Sequence, residues 1–436
     1  MTDKKKKVAL VAVRYGIDIN GGAEFHCRML AERLTDRFDV EVLTTTVKDY
    51  VKGGNSYPIG SELINGVTVR RFAVPEFDNV KEYRASKRNR LPKRVRKILA
   101  RLRLLSPLSS VFPVWKWRLQ DDIRHIKSSV FYSEDMIRFI KERKNDYDAI
   151  IVLTADYAPF YYTAIDAGEK MLAIPTLHNA SVSYRVSLTE AFSKIKYVGF
   201  NTGEEQRLAR RIFGKALKAN GILSVGIDQV DPAPWKEVKA RYNLPDRYIC
   251  FVGRVCNEKV GRLTFYYDLY RKKYGDSTPP MVMVGGTFGD VKLPEGVIYT
   301  GFVTDAEKRA IMAHATVFVN PSRFESLSLV VLEALNDKVP VLVNGHCAVL
   351  KEHCIKSGGA VKYYTDRKSF ISNLHEILTD DDQRQFMAEK GYIYYRENYN
   401  WDLIMGRLYD AISFVSGNNT QICNNTEICS NTENRG

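Results

Sequence analysis

Two glutamates eight positions apart, Glu325 and Glu333, are the residues whose types and spacing point most directly to chemistry. Glu325 follows a polar turn, and Glu333 lies inside the apolar run from Leu327 to Leu335. A carboxylate among apolar residues is costly unless it meets hydrogen-bond donors such as ribose hydroxyls. The backbone N–H groups where the predicted helix begins, around Ser328 and Leu329, can hold phosphate oxygens. The pattern predicts a nucleotide site; the alternative for Glu333 is an exposed helix position.

A second group of charged residues follows a predicted strand, in the segment Phe-Val-Gly-Arg-Val-Cys-Asn-Glu-Lys at positions 251–259. It places Gly253, Arg254 and Lys259 on the loop that leaves the strand. Ligands bind at the carboxyl edge of a parallel sheet, and a glycine backbone with two cations suits a diphosphate. Alone, the motif is more simply a solvated turn. Together with the two glutamates, it predicts a phosphate-binding loop.

The elements that must position these residues begin with a strand, a glycine turn and a helix. Val8 to Val13 is a continuous apolar strand, Gly21 and Gly22 form the turn, and Phe25 begins a series of apolar residues at helical spacing. The further strands predicted in the first half are Val40–Thr44, Val67–Phe72, Ala149–Leu153, Leu172–Ile174, Lys196–Asn201 and Ile222–Val225. Strands that alternate with helices predict an α/β fold with a parallel, doubly wound sheet.

The same alternation starts again at Arg247–Val252, which is followed by a predicted helix over about Arg262 to Tyr274. The remaining predictions are the strands Met281–Val284, Val297–Phe302, Val317–Val319 and Val339–Val343, and the helices Asp305–His314 and Ser328–Asn336. This repetition predicts a second Rossmann-like domain.

The predicted domain boundaries follow from these patterns. An N-terminal domain covers 1–225 and a C-terminal domain covers 226–398, because glycine and proline punctuate the chain over 226–234. A helix over 399–416 is predicted to pack back toward the N-terminal domain. Residues 417–436 contain three imperfect hexapeptides with almost nothing apolar to bury, so we predict a disordered tail.

Four motifs, which follow one another along the chain in the order typical of the family, resemble glycosyltransferase family 4. Glu325 and Glu333 resemble its Glu-x7-Glu signature, and Gly-Arg-x3-Glu-Lys at 253–259 resembles its phosphate-binding motif. Residues 223–228 resemble its interdomain segment, and residues 21–24 resemble its N-terminal glycine loop. The resemblance implies the GT-B fold, in which two Rossmann-like domains face each other across a cleft. It also implies a retaining, nucleotide-sugar-dependent glycosyltransferase.

The resemblance implies a role for each matched residue. Glu333 would contact the donor ribose, and Glu325 a hydroxyl of the transferred sugar. His178 matches a family histidine near the reacting sugar, so Glu325 and His178 are the predicted catalytic residues. A lone histidine after a strand is more often structural. The other predicted donor-site residues are the diphosphate-binding Arg254 and Lys259 and the backbone contacts Gly253, Ser328, Leu329, Gly21 and Gly22.

Several positions depart from the family pattern. Val260 stands where the family usually has glycine, and Ser326 and Ser328 stand where glycines often occur. Ser224 or Val225 replaces the interdomain asparagine. These departures concern the fine geometry of the loops and leave the class unchanged.

The resemblance further implies a front-face transfer in which the departing phosphate helps to deprotonate the acceptor. The two glutamates are therefore not the acid and base of a hydrolase. No cofactor or metal is implied, since the nucleotide-sugar is a co-substrate. Two features imitate metal sites: His346-Cys347 with His353-Cys354, and Asp146-Tyr147-Asp148. Packing of a helix or loop explains the first more simply, and the start of a strand explains the second.

Positive charge is concentrated in the first half of the chain. Residues 1–220 carry 40 basic and 25 acidic side chains, and the remainder carries 25 and 26. One stretch has ten basic residues and no acidic residue: Arg84, Lys87, Arg88, Arg90, Lys93, Arg94, Arg96, Lys97, Arg101 and Arg103. This basic run calls for its own explanation.

An amphipathic helix is predicted within the basic run. Its apolar side comprises Val95, Ile98, Leu99, Leu102 and Leu105, and the apolar residues Leu108, Val111, Phe112, Trp115 and Trp117 follow. Such a helix can lie in an anionic membrane interface, and a cationic solvated helix is an almost equal alternative. In the first case region 84–117 binds the inner face of the membrane, and the acceptor is a lipid-linked glycan.

Other properties predict a cytoplasmic location. No apolar run reaches the roughly 18 residues of a membrane-spanning helix, and the apolar segment after Lys7 is too short for a signal peptide. The seven cysteines form no Cys-x-x-Cys pair, which favours a reducing compartment.

Three functional classes other than a glycosyltransferase agree with part of the sequence. A net charge of +14 suggests a nucleic-acid-binding protein, but no recognised module accompanies the basic run, so no nucleic acid is expected. An epimerase or phosphorylase with the GT-B fold conflicts with the two retained glutamates. A catalytically silent scaffold is the third alternative. The sequence thus favours transfer of a hexosyl-type sugar to a glycan or lipid-linked glycan in cell-surface polysaccharide biosynthesis.

Overall fold

The residues described by the computed structural model are 5–19, 21–111, 117–287 and 292–417. Most of the predicted tail, from residue 418 onward, lies outside them, as do Phe112 and Trp115 of the predicted amphipathic region. The chain divides into two compact units. Unit 1 comprises residues 1–224 with the segment from Met405 onward, and unit 2 comprises Val225–Ile404. Each unit is described by itself.

The sheet of unit 1 is mainly parallel. Its strands are β1 (Lys7–Val11), β2 (Asp39–Thr45), β3 (Gly60–Ile64), β4 (Val67–Phe72), β5 (Ala149–Leu153), β6 (Met171–Ile174), β7 (Tyr197–Phe200) and β8 (Asn220–Ile222). They lie in the order β3-β4-β2-β1-β5-β6-β7-β8, and β3 pairs with β4 in the antiparallel sense. Every residue of β5 and β6 is buried, which is typical of parallel strands covered on both faces.

Helices connect these strands. They are α1 (Gly22–Leu34), α2 (Asn79–Arg88), α3 (Arg90–Arg101), α4 (Leu105–Val111), α5 (Leu119–Lys127), α6 (Glu134–Arg143), α7 (Ala158–Ala167), α8 (Val186–Lys194) and α9 (Gly203–Phe213). The core that they form with the sheet is rich in aromatic rings, and those of Phe192 and Phe213 stack with their centroids 4.1 Å apart. The largest cluster of buried apolar side chains in the described part of unit 1 is therefore formed by residues of both strands and helices.

Unit 2 has a six-stranded parallel sheet. Its strands are β9 (Ile249–Val252), β10 (Met281–Val284), β11 (Val297–Gly301), β12 (Val317–Asn320), β13 (Val341–Asn344) and β14 (Val361–Tyr364), in the order β11-β10-β9-β12-β13-β14. Its helices are α10 (Trp235–Tyr242), α11 (Asn257–Val260), α12 (Leu263–Tyr274), α13 (Asp305–Ala313), α14 (Leu329–Asn336), α15 (Ala348–Lys356), α16 (Arg367–Thr379) and α17 (Asp381–Asn398). The predicted α/β class with two parallel sheets is confirmed.

The strand order of unit 2 brings two loops together. The chain runs outward from β9 through β10 to β11 and then returns to β12 on the other side of β9. Val252 of β9 is in register with Val284 of β10, and Cys250 with Phe318 of β12. The loops after β9 and β12 therefore leave the same carboxyl edge at a topological switch point, where ligands of such sheets bind.

The last helix, α18 (Trp401–Val415), continues from unit 2 into the segment that belongs to unit 1. Its Tyr409 ring lies 6.0 Å from the ring of Phe38 and 4.2 Å from the guanidinium carbon of Arg37. Phe414 lies 5.9 Å from Tyr197. These ring contacts fix the second half of α18 on the surface of unit 1.

Candidate active site

Lys259 and Glu325 form an ion pair between the two loops at the switch point of unit 2. The Nζ of Lys259, on α11, lies 2.6 Å from Oε1 of Glu325 and 3.4 Å from Oγ of Ser322. Both side chains are partly exposed, 32% for the lysine and 17% for the glutamate. The structure thus brings together a predicted phosphate-binding cation and a predicted sugar-binding carboxylate, although 66 residues separate them.

The loop after β9 is shaped by close contact with the loop after β10. Gly253 has φ +151° and Gly285 has φ +131°, conformations that side chains rarely allow. A Cβ atom at Gly285 would lie 2.1 Å from the carbonyl oxygen of Gly253. The Gly253 N–H donates to Val284 O at 2.9 Å, and the next residue, Arg254, is exposed. Main-chain contact therefore sets the shape of this predicted phosphate loop.

The loop after β12 is held by side-chain amides. Asn320 accepts a hydrogen bond from Ser322 N at 2.9 Å and donates one to Ser328 Oγ at 2.8 Å. Ser328 has φ +79°, in the left-handed region that favours glycine, and Leu329 opens α14 directly after it. Ser328 is one of the serines at positions where the resembled family often has glycine; it has a glycine-like backbone conformation, and its hydroxyl is held by Asn320.

Glu333 is not an exposed helix position. Its side chain is 15% exposed, and its Oε1 lies 3.1 Å from Nζ of Lys308, which also contacts Asp305 at 3.3 Å. Burial lowers the pKa of Lys308, but the two carboxylates outweigh burial and raise it. Oε2 of Glu333 is buried and has no hydrogen-bond partner among the described residues. One oxygen is thus fixed by an ion pair, and the other can accept a hydrogen bond.

His353 supports this site, and its role was not predicted. Its Nε2 lies 2.9 Å from the carbonyl oxygen of Leu327, and its Nδ1 lies 3.0 Å from the hydroxyl of Tyr394. Since a carbonyl only accepts, Nε2 carries the proton and Nδ1 accepts from the tyrosine. Burial lowers the pKa of His353, which favours this neutral form. The contact partners are distant in sequence, so spacing gave no signal for them.

The residues that imitate metal sites have other contacts. His346 Nε2 lies 2.7 Å from Thr365 O, and Cys347 is buried. Asp148 accepts a hydrogen bond from the backbone N–H of Lys7 at 2.8 Å, at the start of β1. Within the described residues, no group of three or more His, Cys, Asp or Glu side chains is arranged to hold a metal ion.

The predicted site residues of the first half lie in unit 1. His178 follows β6, is half-buried, and accepts a hydrogen bond at its carbonyl from Ser183 Oγ at 2.6 Å. Gly22 begins α1, and a Cβ atom at Gly21 would lie 2.1 Å from Oε2 of Glu24. The carboxylate of Glu24 is in turn paired with a buried arginine at 2.6 Å. The glycine turn is therefore packed against an ion pair that the sequence did not predict.

Only some side chains of the basic run have the solvent exposure that the predicted amphipathic helix requires. Arg96 is fully buried, donating to Tyr184 O at 3.0 Å and to Thr189 Oγ1 at 2.5 Å, and burial lowers its pKa to about 10. Lys93 is also buried, and Leu105 lies in the core. The prediction that the cations face solvent and the apolar residues form one binding face is wrong for these positions, because α3 packs its Lys93–Arg96 side onto unit 1.

An apolar stripe of the same region is nevertheless exposed, and it includes Ile98 and Leu102 of the predicted apolar side. Leu91 is 50%, Ile98 45% and Leu102 61% exposed; Leu91 and Ile98 lie on one face of α3, and Leu102 directly follows its last residue. Exposed apolar side chains continue at Leu104 and Val111. The exposed basic residues around them are Arg84, Lys87, Arg88, Arg90, Arg94, Arg101 and Arg103. Among the described helices, none has the length and apolar composition to cross a bilayer.

The family described as glycosyl transferases group 1 matches residues 246–380. This range lies wholly within unit 2. The matched range contains both glutamates of the Glu-x7-Glu motif and the whole of the phosphate loop at 253–259. The matched range therefore includes the loops after β9 and β12, which leave the same edge of the sheet of unit 2.

Solved structures show the fold of the whole chain. Sucrose-phosphate synthase from Thermosynechococcus elongatus has a TM-score of 0.62 at 16% identity, covering 93% of this chain and 98% of that one. Trehalose-6-phosphate synthase from E. coli, bound with UDP-2-fluoro glucose, gives 0.64 at 15%, covering 93% and 99%. HepE from Anabaena, in complex with UDP and glucose, gives 0.62 at 13%, covering 94% and 99%. The chain has the GT-B fold, as predicted.

A curated relative is the putative teichuronic acid biosynthesis glycosyltransferase TuaC of Bacillus subtilis (strain 168). It is 28% identical over 193 residues, which cover 41% of this chain and 49% of the relative. The match thus spans about half the length of that protein.

Proposed function

We propose that this protein is a retaining glycosyltransferase of family 4. It transfers a hexosyl-type sugar from a nucleotide-sugar to a glycan or lipid-linked glycan acceptor in cell-surface polysaccharide biosynthesis. The observation that carries the proposal is the ion pair between Lys259 and Glu325. Nζ of the lysine lies 2.6 Å from Oε1 of the glutamate, at the switch point of the sheet within the range that matches the group 1 family. The named activity of TuaC, the UDP in the HepE complex and the UDP-sugar in the trehalose-6-phosphate synthase complex agree with it.

The donor is held by unit 2 in this proposal. The diphosphate accepts hydrogen bonds from Arg254, from Lys259 and from the backbone N–H groups of the first turn of α14. Phosphate oxygens of the donor bind the ammonium group of Lys259 and so break its ion pair with Glu325. The carboxylate of Glu325 can then accept a hydrogen bond from a hydroxyl of the transferred sugar. The ribose donates to Oε2 of Glu333, the oxygen that has no partner among the described residues. The backbone of Gly253 allows close approach of the diphosphate.

The reaction follows from this arrangement. The two cations stabilise the charge that develops on the departing diphosphate, and the acceptor attacks from the face that the leaving group vacates. The leaving phosphate then takes the acceptor proton, so neither glutamate acts as a general acid or base. The proposed transfer is independent of metal, and His178 of unit 1 is assigned a contact with the reacting sugar.

The acceptor side includes an anionic membrane surface. The observation that favours it is the stripe Leu91–Ile98–Leu102, exposed along α3 and directly after it, between exposed arginines. Apolar side chains bordered by cations can enter the boundary between lipid headgroups and acyl chains. This arrangement supports a peripheral protein on the inner face of the cytoplasmic membrane and a lipid-linked acceptor.

A thermal-shift panel of UDP-, GDP- and TDP-sugars tests the donor proposal. We expect one nucleotide class to raise the melting temperature, and that donor to be turned over with retention of the anomeric configuration. If none of the nucleotides raises the melting temperature at millimolar concentration, the proposed function is wrong. A product of inverted configuration contradicts the assignment to a retaining family.

A further inference from the structure

Two consecutive cations of α13 face two carboxylates of α14. Nζ of Lys308 lies 3.1 Å from Oε1 of Glu333. Nη2 of Arg309 lies 2.9 Å from Oδ1 of Asp337, one helical turn further along α14. Asp305 also lies within 3.3 Å of Lys308, but its side chain is 64% exposed, so water weakens this contact. Lys308 is therefore the cation paired with Glu333, and Arg309 belongs to the neighbouring carboxylate.

The backbone on both sides of the Lys308–Glu333 pair is fixed. A capping box begins α13: Glu307 N donates to the hydroxyl of Thr304 at 3.2 Å, and Thr304 N donates to Oε2 of Glu307 at 3.0 Å. In α14, the residues directly before and after Glu333 are fully buried. The freedom that remains to Glu333 is rotation of its own side chain, and the ammonium of Lys308 restricts that rotation.

The second oxygen of Glu333 has hydrogen-bonding capacity left over. Oε2 is buried and has no hydrogen-bond partner in the described part of the chain. Buried polar atoms normally have a partner, so this oxygen points to a donor that a ligand supplies. Leu329 begins the same helix one turn before Glu333. At a rise of about 1.5 Å per residue, the two positions are about 6 Å apart along the helix, which the ribose of a nucleotide with its diphosphate at the helix start can span.

We propose that Lys308 is a positioning residue that holds Oε1 of Glu333, so that Oε2 accepts a hydroxyl of the donor ribose and the site distinguishes ribose from deoxyribose. The inference rests on the proposed function, because it assigns Glu333 to the ribose of a nucleotide-sugar. Lys308 itself contacts no substrate in this scheme. Without its ammonium, Glu333 keeps a like charge one turn away at Asp337 and is no longer held in one orientation.

Isothermal titration calorimetry on the full chain tests the proposal. The probes are UDP, 2′-deoxy-UDP and 3′-deoxy-UDP, with the three corresponding guanosine diphosphates in parallel. We expect the unaltered protein to bind one ribonucleotide about 10- to 100-fold more tightly than at least one of its deoxy analogues, because a hydrogen bond to a charged group contributes a factor of that size. In Lys308→Met this ratio should fall to about threefold or less. Lys308→Arg keeps the charge and should recover part of the ratio.

Three further variants separate positioning from packing. Arg309→Met is the matched control, because it removes the neighbouring cation of the same helix and leaves the Lys308–Glu333 pair intact, so the ratio should not change. Lys308→Gln is a second neutral variant and takes the place of Lys308→Met if circular dichroism shows that the latter does not fold. The double variant Lys308→Met with Glu333→Gln should bind each nucleotide like Glu333→Gln alone, since Lys308 acts through that carboxylate.

The outcomes separate the two proposals. An unchanged ratio in a folded neutral variant of Lys308 overturns the inference. So does a further loss of affinity in the double variant, which means that Lys308 contacts the nucleotide directly, or an equal fall of the ratio in Arg309→Met. If the unaltered protein binds a ribonucleotide and both deoxy analogues equally well, or binds neither ribonucleotide, the ribose contact and the inference are wrong. If TDP does not bind either, the proposed function is wrong as well.

Discussion

The carboxylate of Glu205 accepts a hydrogen bond from the backbone N–H of Leu177 at a distance of 2.5 Å. Its second oxygen accepts the N–H of Asn201 at 2.7 Å. A fully buried side chain of α9 therefore ties together the loops after β6 and β7, and it does so directly before the predicted catalytic His178. The position of this histidine depends on a carboxylate in the core of unit 1.

The burial of the Glu205 side chain predicts that the free energy of unfolding of the protein depends on pH. Burial raises the pKa of Glu205 from 4.5 to about 8, although the two N–H groups lower it. The folded state therefore binds more protons than the unfolded state between these pH values, and the free energy of unfolding falls as pH rises through that window, by roughly 4 to 5 kcal/mol. Urea unfolding from pH 5 to pH 8 measures this slope. In Glu205→Gln the slope should be smaller, and an unchanged slope contradicts the assignment.

Glu333→Gln should lower kcat/KM for the donor about 10- to 100-fold. The amide keeps the shape of the side chain but loses the charge that strengthens a hydrogen bond to a ribose hydroxyl. Steady-state kinetics with the donor found by thermal shift measures the effect. Glu389→Gln, at an exposed residue paired with Lys338, is the matched control. If the two variants have the same kcat/KM for the donor, the assignment of Glu333 to the donor site is wrong.

His353→Phe should raise the donor KM about tenfold. The substitution leaves the Leu327 carbonyl and the Tyr394 hydroxyl without their shared partner, which frees the peptide next to the strained Ser328. Since the histidine touches no substrate in this scheme, kcat should fall less than KM rises. His353→Gln offers a donor to the carbonyl and should recover part of the loss.

A matched control for His353 is His375→Phe, since His375 stacks on Tyr274, 4.1 Å away, outside the loops at the switch point. If both phenylalanine variants change KM alike, the effect is one of general destabilisation and the positioning role of His353 is wrong.

The combined variant Leu91→Ser, Ile98→Ser and Leu102→Ser should release the protein from vesicles that contain anionic lipid. Arg94→Gln with Arg101→Gln should weaken binding about 30-fold, because each exposed cation near such a surface contributes about 1 kcal/mol. Co-sedimentation with phosphatidylglycerol vesicles measures both effects.

The buried Arg96 stays intact in these vesicle variants, because its loss would disturb unit 1 itself. Arg138→Gln with Lys141→Gln, on α6, removes the same charge elsewhere and should leave sedimentation unchanged. If the α6 variant is released equally, total charge accounts for the binding and the α3 stripe does not.

Strands that are buried throughout could be predicted from sequence. Ala149–Leu153 and Met281–Val284 have the same bounds in the sequence prediction and in the structure, since every residue of each is apolar and buried. The edge strand Gly60–Ile64 was missed because its side chains are exposed, with Leu63 72% accessible. Hydrophobic patterning reports burial, so it cannot find a strand that buries almost nothing.

Contacts between distant residues could not be predicted. Arg96 meets its partners 88 and 93 positions away, so the sequence offered only a basic residue among others. His353 and Lys308 likewise act on the site through neighbours brought close by folding. The motifs predict which residues belong to the site, whereas the side chains that hold those residues in place are brought close only by packing.

The close approach of Gly285 to the Gly253 carbonyl fixes the main chain of the predicted phosphate loop of unit 2. A nucleotide then loses its own freedom on binding and restricts a few side chains, but it does not have to order the backbone. Selection among donors therefore falls to the groups around the base and the sugar. In the proposed function, substitution at those positions would change the preferred donor sugar while the same loop still binds the diphosphate.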